Sequence, residues 1–348
     1  MTLVQLPTAD TRELEPVGEP PPQPRRITAR RSLGDRVFAA TARTTGSVVL
    51  LIVLAIGLFL GWQVAPTVSH YGWGFFTRQE WQPNRDVLGI AAAIVGTVEI
   101  AAIALIIAFP LALLSALFVS DWAPPRLRPF LIRVVDLMAA VPSIVFGLWG
   151  LMLIEPHAAH VAHWFSKYFG WIPFFKVHTD VDYPVWNQLP GYASYSGSAF
   201  IAAIAVSMMV FPMATSVMRE VFSQAPQGEK EAAIALGSTH WAMVRTVVIP
   251  FGRSGIIGGT MLALGRALGE TISVVLIISQ AYQVKLNVLE SGTQSISALI
   301  ATSAKEATPS QRSALLAAGF LLFVMTLFVN TIAGNIVSRG RTGAGTEI

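Results

Sequence analysis

One charged segment interrupts an otherwise apolar stretch of the sequence. Arg266 and Glu270 stand four residues apart near the middle of that stretch, and Ser273 follows three residues later. A charge within a membrane carries a high free-energy cost, so a partner or a function must compensate for it. On one continuous helix this spacing places Arg266 and Glu270 on the same face, where they can form an ion pair. A planar guanidinium can also bind two oxygens of a tetrahedral oxyanion at once.

Two interpretations of this pair are open. In the first, Arg266 and Glu270 line a path for an anion, and Glu270 either holds Arg266 in place or accepts a hydrogen bond from a protonated oxygen of the anion. An arginine with a partner would then release the anion more readily than an unpaired one. In the second, the pair only fixes helix packing. We favour the first, because an apolar pair would pack equally well without the desolvation of two charges.

A second segment combines good helix formers with a glycine and a proline at fixed spacing. The residues that carry this pattern are Glu231, Ala232, Ala233, Gly237 and Pro250. Gly237 can take the left-handed conformation that ends a helix, and Ser238 is a candidate cap for the next helix. The pattern predicts two short helices that meet at a glycine and form a compact projection.

The composition indicates an all-α polytopic membrane protein. With 348 residues, 53% of them hydrophobic and 13% charged, and a mean hydropathy of +0.58, the chain is too apolar for a soluble globular protein. Windows of about 20 apolar residues are long enough to cross a bilayer. We predict six such spans, at 48–65, 90–119, 130–154, 198–218, 255–279 and 313–337. The second window is either one long tilted helix or a helix bent at Pro110.

The distribution of Lys and Arg predicts the orientation, because these residues gather on the cytoplasmic side. With the N-terminus inside, 16 of them fall on inner segments and seven on outer segments. Both termini and the segment 219–253 are therefore expected in the cytoplasm. We divide the chain into a cytoplasmic N-terminal segment (1–45), a transmembrane domain (46–338) and a short cytoplasmic tail (339–348). The first 30 or so residues of the N-terminal segment are Pro-rich and expected to be disordered, and the rest is basic. The basic cluster either binds anionic lipid or only fixes the orientation, and nucleic acid is not needed to explain it.

Other functional classes find little support. The chain has no Cys, which removes disulfides and thiolate metal sites. His157, His160 and His163 are more typical of a solvated interfacial helix than of a metal site, so we predict no metal. The aromatic segment 155–197, predicted as a loop, either anchors the chain at the membrane interface or helps to seat an extracytoplasmic partner. No Gly-x₄-Gly-Lys-Ser/Thr loop is present, so we expect neither catalysis nor a bound cofactor in this chain.

The segment from Glu231 to Pro250 resembles the EAA loop of ABC importer permeases. That pattern is Glu-Ala-Ala, three residues, Gly, nine residues, and then aliphatic-any-aliphatic-Pro, and this sequence meets it throughout. In the family, the loop forms a cytoplasmic coupling helix that docks into a groove on an ATPase subunit. The resemblance implies the type I ABC importer permease fold, with ATP and Mg²⁺ bound by the partner ATPase and not by this chain.

The run from Arg266 to Glu270 resembles both the phosphate and the sulfate or molybdate permeases. Thr271 follows where the sulfate and molybdate group typically has an aromatic residue, which favours phosphate. The run Ala-Ala-Val-Pro-Ser-Ile-Val-Phe-Gly-Leu-Trp at 139–149 resembles the C-type permease subunit of bacterial high-affinity phosphate importers. The resemblance extends from about residue 88 to the C-terminus.

This resemblance implies a multi-pass subunit of the bacterial plasma membrane that forms half of a pore for phosphate. Its implied partners are a homologous A-type permease, a dimeric cytoplasmic ATPase and an extracytoplasmic phosphate-binding protein. A sulfate or molybdate permease is the alternative within this class. The buried charges also suit an ion-coupled secondary phosphate carrier.

The family assigns transport roles to an Arg and a Glu in this region, which correspond to Arg266 and Glu270. The further candidates for the substrate pathway are Ser273, Ser143 and Asp136. Asp136 is equally compatible with a local ion pair to Arg133. For Glu99, in the second span, three roles are open: it faces the pore, pairs with another subunit or stays protonated.

Overall fold

The structure is a computed structural model that describes residues 32–178 and 192–341, and these residues are almost entirely helical. The helices are α1 (Leu33–Tyr71), α2 (Gly74–Thr77), α3 (Ala91–Leu117), α4 (Arg128–Ala140), α5 (Ser143–Trp149), α6 (Glu155–Phe169), α7 (Tyr192–Tyr195), α8 (Ala199–Ser223), α9 (Gln227–Ala235), α10 (His240–Met243), α11 (Ile249–Phe251), α12 (Arg253–Gly269), α13 (Ile272–Ile277), α14 (Ile296–Ser303) and α15 (Pro309–Arg341). Strand β1 (Trp81–Gln82) pairs antiparallel with β2 (Val87–Leu88), with Trp81 opposite Leu88. The all-α prediction is confirmed.

Short π-helical and 3₁₀ segments extend or connect these helices. The π-helical segments are Phe118–Trp122, Gly150–Ile154 and Val244–Val248, and the 3₁₀ turns are Pro83–Arg85 and Pro173–Phe175. The first two π-helical segments continue α3 and α5 without a break, and the third joins α10 to α11.

The chain divides into two units, Met1–Val53 and Leu54–Ile348. The described part of the first unit is the N-terminal part of α1, which begins inside the predicted segment 1–45. The Ser32 amide donates to Asp35 Oδ2 at 3.1 Å, and the Asp35 amide donates to Ser32 Oγ at 3.3 Å. This reciprocal arrangement is a capping box, which satisfies amides that a helix start leaves free. The predicted disordered segment up to residue 31 and the tail residues 342–348 lie outside the described residues.

The predicted number of six spans is confirmed among the described residues when one bent pair of helical stretches is counted as a single span. That pair is His240–Phe251 and Arg253–Gly269, which meet at an angle of 68°. The other five stretches are Leu33–Tyr71, Ala91–Trp122, Ser143–Phe169, Ala199–Ser223 and Pro309–Ile336. The second span passes Pro110 as one uninterrupted helix.

The predicted boundaries of the third and fifth spans are wrong. The third, at 130–154, is broken because Pro142 has no amide hydrogen and Val141 before it is extended, with φ −65° and ψ 130°. The span instead begins at Ser143 and continues to Phe169, so the first part of the predicted loop 155–197 is helical. The fifth, at 255–279, stops at Gly269 and resumes as α13.

The histidines of the third span make local contacts. His157 Nδ1 donates to the Leu153 carbonyl at 2.8 Å, and His163 Nδ1 is hydrogen-bonded to the Tyr195 hydroxyl at 3.2 Å. No group of three His, Asp or Glu side chains suited to a metal ion occurs in the part of the chain that the structure describes. Residues 179–191 of the predicted aromatic loop lie outside that part.

Small residues allow α3, α8 and α12 to pack closely at the centre of the second unit. The alanines that α3 buries completely, one on each successive turn, are Ala104, Ala108, Ala112 and Ala116. On α12, a Cβ added at Gly255 would lie 2.5 Å from Val221 Cβ, and one added at Gly259 would lie 3.0 Å from the Ala214 carbonyl oxygen of α8. Small residues at helix contacts let backbones approach within a membrane, and α8 packs closely against both α3 and α12.

Gly96 of α3 tests this close packing. A Cβ at Gly96 would lie 2.1 Å from the Gln294 carbonyl oxygen and 2.7 Å from Thr293 Oγ1. We therefore expect Gly96→Ala to lower the free energy of unfolding by about 1–3 kcal/mol, as overpacking does. The matched control is Gly258→Ala, because a Cβ there meets nothing within 4 Å. Thermal unfolding in detergent, followed by Trp fluorescence, should show a lower midpoint for Gly96→Ala alone, and equal midpoints would contradict the close contact.

Candidate functional site

The candidate anion site lies where α12 ends and α13 begins. α12 ends at Gly269, and Glu270 is extended, with φ −68° and ψ 128°. The Glu270 amide donates to the Ala267 carbonyl at 3.4 Å, and Ser297 Oγ donates to the Glu270 carbonyl at 2.6 Å. The amide and the carbonyl of Glu270, where the helix is interrupted, are thus both hydrogen-bonded within the protein. A helix that is interrupted within a membrane requires this, because lipid offers no hydrogen-bond partner.

The predicted helical ion pair between Arg266 and Glu270 is wrong. That pairing needs one continuous helix, and the helix stops before Glu270. The Glu270 side chain is buried, and its Oε1 accepts a hydrogen bond from the Ser273 amide at 3.3 Å. It therefore caps the first turn of α13 and does not neutralise Arg266. No ion pair between Arg266 and a carboxylate occurs within residues 32–178 and 192–341.

Arg266 is exposed on the surface of this chain, where its Nη2 lies 3.5 Å from Met209 Sδ of α8. A thioether is a weak acceptor, and the hydrogen bonds of the described residues give the Arg266 side chain no other partner. Most of its five donors can therefore bind another group. Donors fixed in one plane are suited to two oxygens of an oxyanion. Sequence reasoning missed Met209, because this contact joins residues 57 positions apart and no local pattern marks it.

Asp136 contacts the same helix as Arg266. It is exposed on α4, and its Oδ1 accepts a hydrogen bond from Ser216 Oγ of α8 at 3.1 Å. The alternative ion pair with Arg133 is absent from the described residues. Met209 and Ser216 are seven residues apart, so they share one face of α8 at a separation of about 10 Å along its axis. The structure thus brings Arg266 and Asp136 to one side of α8.

Ser273 and Ser143 belong to two helices that pack together, α13 and α5. Ser273 is completely buried, and its hydroxyl has no hydrogen-bond partner among the described residues. A Cβ added at Gly147 of α5 would lie 2.8 Å from Ser273 Cα. Ser143 is half-buried at the first position of α5. The pathway role of these two serines stays a prediction.

Glu99 is a further acidic group within a span. It is half-buried on α3, and its Oε1 is enclosed without a hydrogen-bond partner in the described part of the chain. No ion pair joins Glu99 to a cation within residues 32–178 and 192–341, and its three possible roles stay open.

The two short helices that the sequence predicts are present and meet at Gly237. This glycine has φ +83°, which confirms the predicted left-handed conformation. Its amide donates to the Ile234 carbonyl at 2.9 Å, and the Ser238 amide donates to the Ala233 carbonyl at 3.2 Å. These two bonds form a Schellman motif, which ends a helix and turns the chain. We call residues 227–243, from α9 to α10, the projection.

The predicted cap of the second helix is wrong by one residue. Thr239 and not Ser238 caps α10, since Thr239 Oγ1 accepts a hydrogen bond from the Ala242 amide at 3.2 Å. Either hydroxyl is a competent cap. The Schellman motif places Thr239 at the cap position, because it already uses the Ser238 amide to close the previous helix.

The projection has an exposed side. Ile234 is 50% exposed and Leu236 is 90% exposed, so this side of the projection presents two neighbouring apolar side chains that a partner surface can cover. The predicted docking residues that are also exposed are Glu231, Ala232, Gly237 and Pro250. Ala233, by contrast, is half-buried and packs against the core formed by α3, α8 and α12.

On another part of the second unit, Glu290 joins two segments that lie between spans. Its Oε1 accepts a hydrogen bond from Lys285 Nζ at 2.9 Å, and its Oε2 lies 3.1 Å from His178 Nδ1. Burial alone would raise the pKa of Glu290, but the hydrogen bonds from Lys285 and His178 hold that pKa below its usual range. Asn287 Nδ2 also donates to the Lys176 carbonyl at 2.9 Å. These contacts attach the segment around His178 to the segment 285–290.

Comparison with known proteins places most of this chain in one family. Residues 108–342 match the family described as "Binding-protein-dependent transport system inner membrane component". The phosphate transport system permease protein PstC 2 of Mycobacterium tuberculosis is 38% identical over 310 residues, which cover 88% of this chain and 91% of that protein. The phosphate transport system permease protein PstC of Mesorhizobium japonicum is 37% identical over 329 residues, which cover 92% and 96%.

A solved structure shares the fold. A chain in the crystal structure of the bacterial alginate ABC transporter, in complex with alginate pentasaccharide-bound periplasmic protein, superposes with a TM-score of 0.57. The match covers 90% of this chain and 97% of that chain at 16% identity. At that identity the likeness shows the fold alone.

The left-handed glycine of the projection can be tested directly. A Cβ at Gly237 meets no other atom within 4 Å, so the cost of Gly237→Ala is the backbone strain of about 1–2 kcal/mol. We expect faster amide hydrogen exchange across residues 227–243 in this variant. Gly228→Ala, on α9 with no positive φ and equally open space, is the matched control. Amide hydrogens of Gly228→Ala should exchange as slowly as those of the unmodified chain or more slowly. Equally faster exchange in both variants would show that the left-handed conformation of Gly237 does not stabilise the projection.

Proposed function

This chain belongs to the family of binding-protein-dependent transport system inner membrane components, and we propose that it is the C-type permease subunit of an ATP-driven importer of inorganic phosphate. It is a multi-pass protein of the inner membrane. Relatives named as phosphate transport system permeases align over more than nine tenths of their length. Agreement over most of both chains supports a shared substrate.

The observation that carries the choice of an oxyanion is the free guanidinium of Arg266. It lies within a span, on the surface of the chain, and Glu270 is turned away from it. A charge at this position must face water or another polar group, since exposure to lipid is unfavourable. A pore formed with a second permease subunit provides that environment. A phosphate ion there can accept two hydrogen bonds from Arg266 and neutralise its charge.

The energy for transport comes, in this proposal, from a partner. A dimeric ATPase that binds ATP and Mg²⁺ docks on the projection of this chain and on the matching part of a homologous A-type permease. The exposed Ile234 and Leu236 become buried at that contact, and Glu231 lies beside them. This chain performs no hydrolysis, because it has no phosphate-binding loop.

Movement of the projection reaches the pore through short connections. Three residues separate α8 from α9, and the nine residues 244–252, which are helical as far as Phe251, separate α10 from α12. A pull on the projection therefore acts directly on the two helices that carry Met209 and Arg266. Closure of the ATPase dimer opens the pore outward to receive phosphate from the extracytoplasmic binding protein, and hydrolysis resets it inward. The binding site is thus exposed to one side at a time.

The proposed function can be tested by co-purification through a tag on this chain. We expect a second permease and an ATPase to co-purify, because the projection and Arg266 both need a partner surface. In liposomes, the ATPase rate of the complex should rise when purified binding protein loaded with phosphate is added. Binding protein loaded with sulfate serves as the control. Stimulation by the sulfate form alone, or phosphate accumulation in vesicles that hold only this subunit, would contradict the proposal.

Arg266 supplies a second test. Arg266→Ala removes charge-assisted hydrogen bonds to the anion, and we expect phosphate uptake to fall by about 10- to 100-fold. Arg266→Lys keeps the charge but lacks the planar guanidinium, so its phosphate uptake should lie between those of the unmodified chain and Arg266→Ala. Arg253→Ala, near the other end of the same helix, controls for the loss of an arginine and should transport normally. Normal uptake by Arg266→Ala in an assembled complex would refute the anion-binding role.

A further inference from the structure

A buried ion pair joins the projection to the end of the second span. Lys230 Nζ of α9 lies 2.8 Å from Asp121 Oδ1, and the two side chains are 9% and 5% exposed. Lys and Asp are almost never buried unless they are paired. Asp121 belongs to the π-helical segment Phe118–Trp122 that ends the span. Such π-helical turns occur frequently at functional sites.

Stability does not explain this ion pair. The loss of hydration of two buried charges is often as large as their attraction, so apolar residues of similar size would hold the helices together equally well. Asp121 Oδ2 is also buried, and it has no hydrogen-bond partner in the described part of the chain. The pair instead defines one position of α9 relative to the end of the second span, because only that position brings the two charges together.

Trp122 contacts the other half of the projection. Its ring packs edge-on against the His240 ring, with 4.8 Å between centroids, and lies 6.3 Å from the Trp241 ring. Lys230 precedes Gly237 in the sequence, and His240 follows it. The end of the second span therefore contacts the projection on both sides of its turn. Attachment at two points opposes rotation of the projection about either one.

The π-helical segment Phe118–Trp122 also holds the start of α4. Arg128 Nε donates to the Val119 carbonyl of the π-helical segment at 2.7 Å. α4 carries Asp136, which contacts Ser216 of α8. A displacement of the projection that moves Asp121 and Trp122 will therefore also act on the base of α4.

We propose that Lys230 and Asp121 are positioning residues that transmit movement of the projection to α3 and α4, beyond its direct links to α8 and α12. The inference rests on the proposed function, because it requires an ATPase docked on the projection. With the ion pair intact, α3 moves together with α8, against which its alanines pack. Without the ion pair, α8 and α12 are pulled directly while α3 and α4 follow only through their packing against α8, so ATP is hydrolysed with less transport.

The test is the number of phosphate ions moved per ATP hydrolysed in liposomes that contain the whole complex. The double variant Asp121→Asn/Lys230→Met removes both charges at similar size and leaves no unpaired charge behind. We expect it to keep the ATPase subunit and its hydrolysis rate while the transport ratio falls about 2- to 30-fold, the range for residues that carry coupling. The single variant Lys230→Arg keeps the charge and should retain most of the unmodified chain's ratio of phosphate moved to ATP hydrolysed.

Lys305→Met is the matched control, because Lys305 is exposed and has no ion pair in the described residues. It should leave the ratio unchanged. An unchanged ratio in the double variant would overturn the inference and leave the proposed function standing. Failure of the unmodified chain to co-purify with an ATPase would overturn the proposed function instead.

A distance measurement tests whether α9 and the end of the second span move together, even if the double variant does not assemble. The chain has no Cys, so Arg126→Cys and Gln227→Cys can carry two spin labels on an otherwise unmodified chain. Arg126 follows the second span, and Gln227 begins α9. We expect the same distance between the labels in the nucleotide-free complex and in the complex trapped with ATP and vanadate. A distance that changes between these states would overturn the inference.

Discussion

Close packing of α3 against α8, and of α8 against α12, positions the elements that carry the candidate site. Within a membrane no hydrophobic driving force selects one helix pair over another, so van der Waals contact between small residues has a large part in deciding which helices meet. The alanines of α3 and the glycines of α12 allow both helices to approach α8 closely. As a result, one face of α8 supports both Arg266, through Met209, and Asp136, through Ser216.

The break after Gly269 determines the chemistry of this site. A helix interrupted within a membrane must satisfy its backbone groups internally, and here the Glu270 carboxylate binds the Ser273 amide while Ser297 binds the Glu270 carbonyl. Glu270 is consequently not a partner for Arg266. In the proposed function, release of the anion does not then depend on a competing carboxylate, because Arg266 is exposed and charge interactions weaken where water is present. Met209 restrains the arginine without neutralising it.

The projection combines a free outer side with a firmly attached inner side. Leu236 is exposed at the turn, whereas Ala233 packs against the core and Lys230 is held by Asp121. The proposed coupling to an ATPase needs both properties, since the partner must bind one side of the projection and the spans must follow the other. Short links to α8 and α12, together with the ion pair, attach the projection to three of the closely packed helices at once.

Features that depend on neighbouring residues could be predicted from the sequence alone: the number of apolar spans, the short helix and the left-handed Gly237 of the projection. Features that join distant residues could not. The helix ends at Gly269, and the Glu270 carbonyl beyond it accepts a hydrogen bond from Ser297, 27 residues further along the chain. The spacing of four therefore wrongly predicted an ion pair. The pairing of Lys230 with a residue 109 positions away leaves no local pattern. Only the tertiary packing brings such groups within hydrogen-bond distance, and it therefore decided that Lys230 is paired and that Arg266 has no ion pair within the described residues.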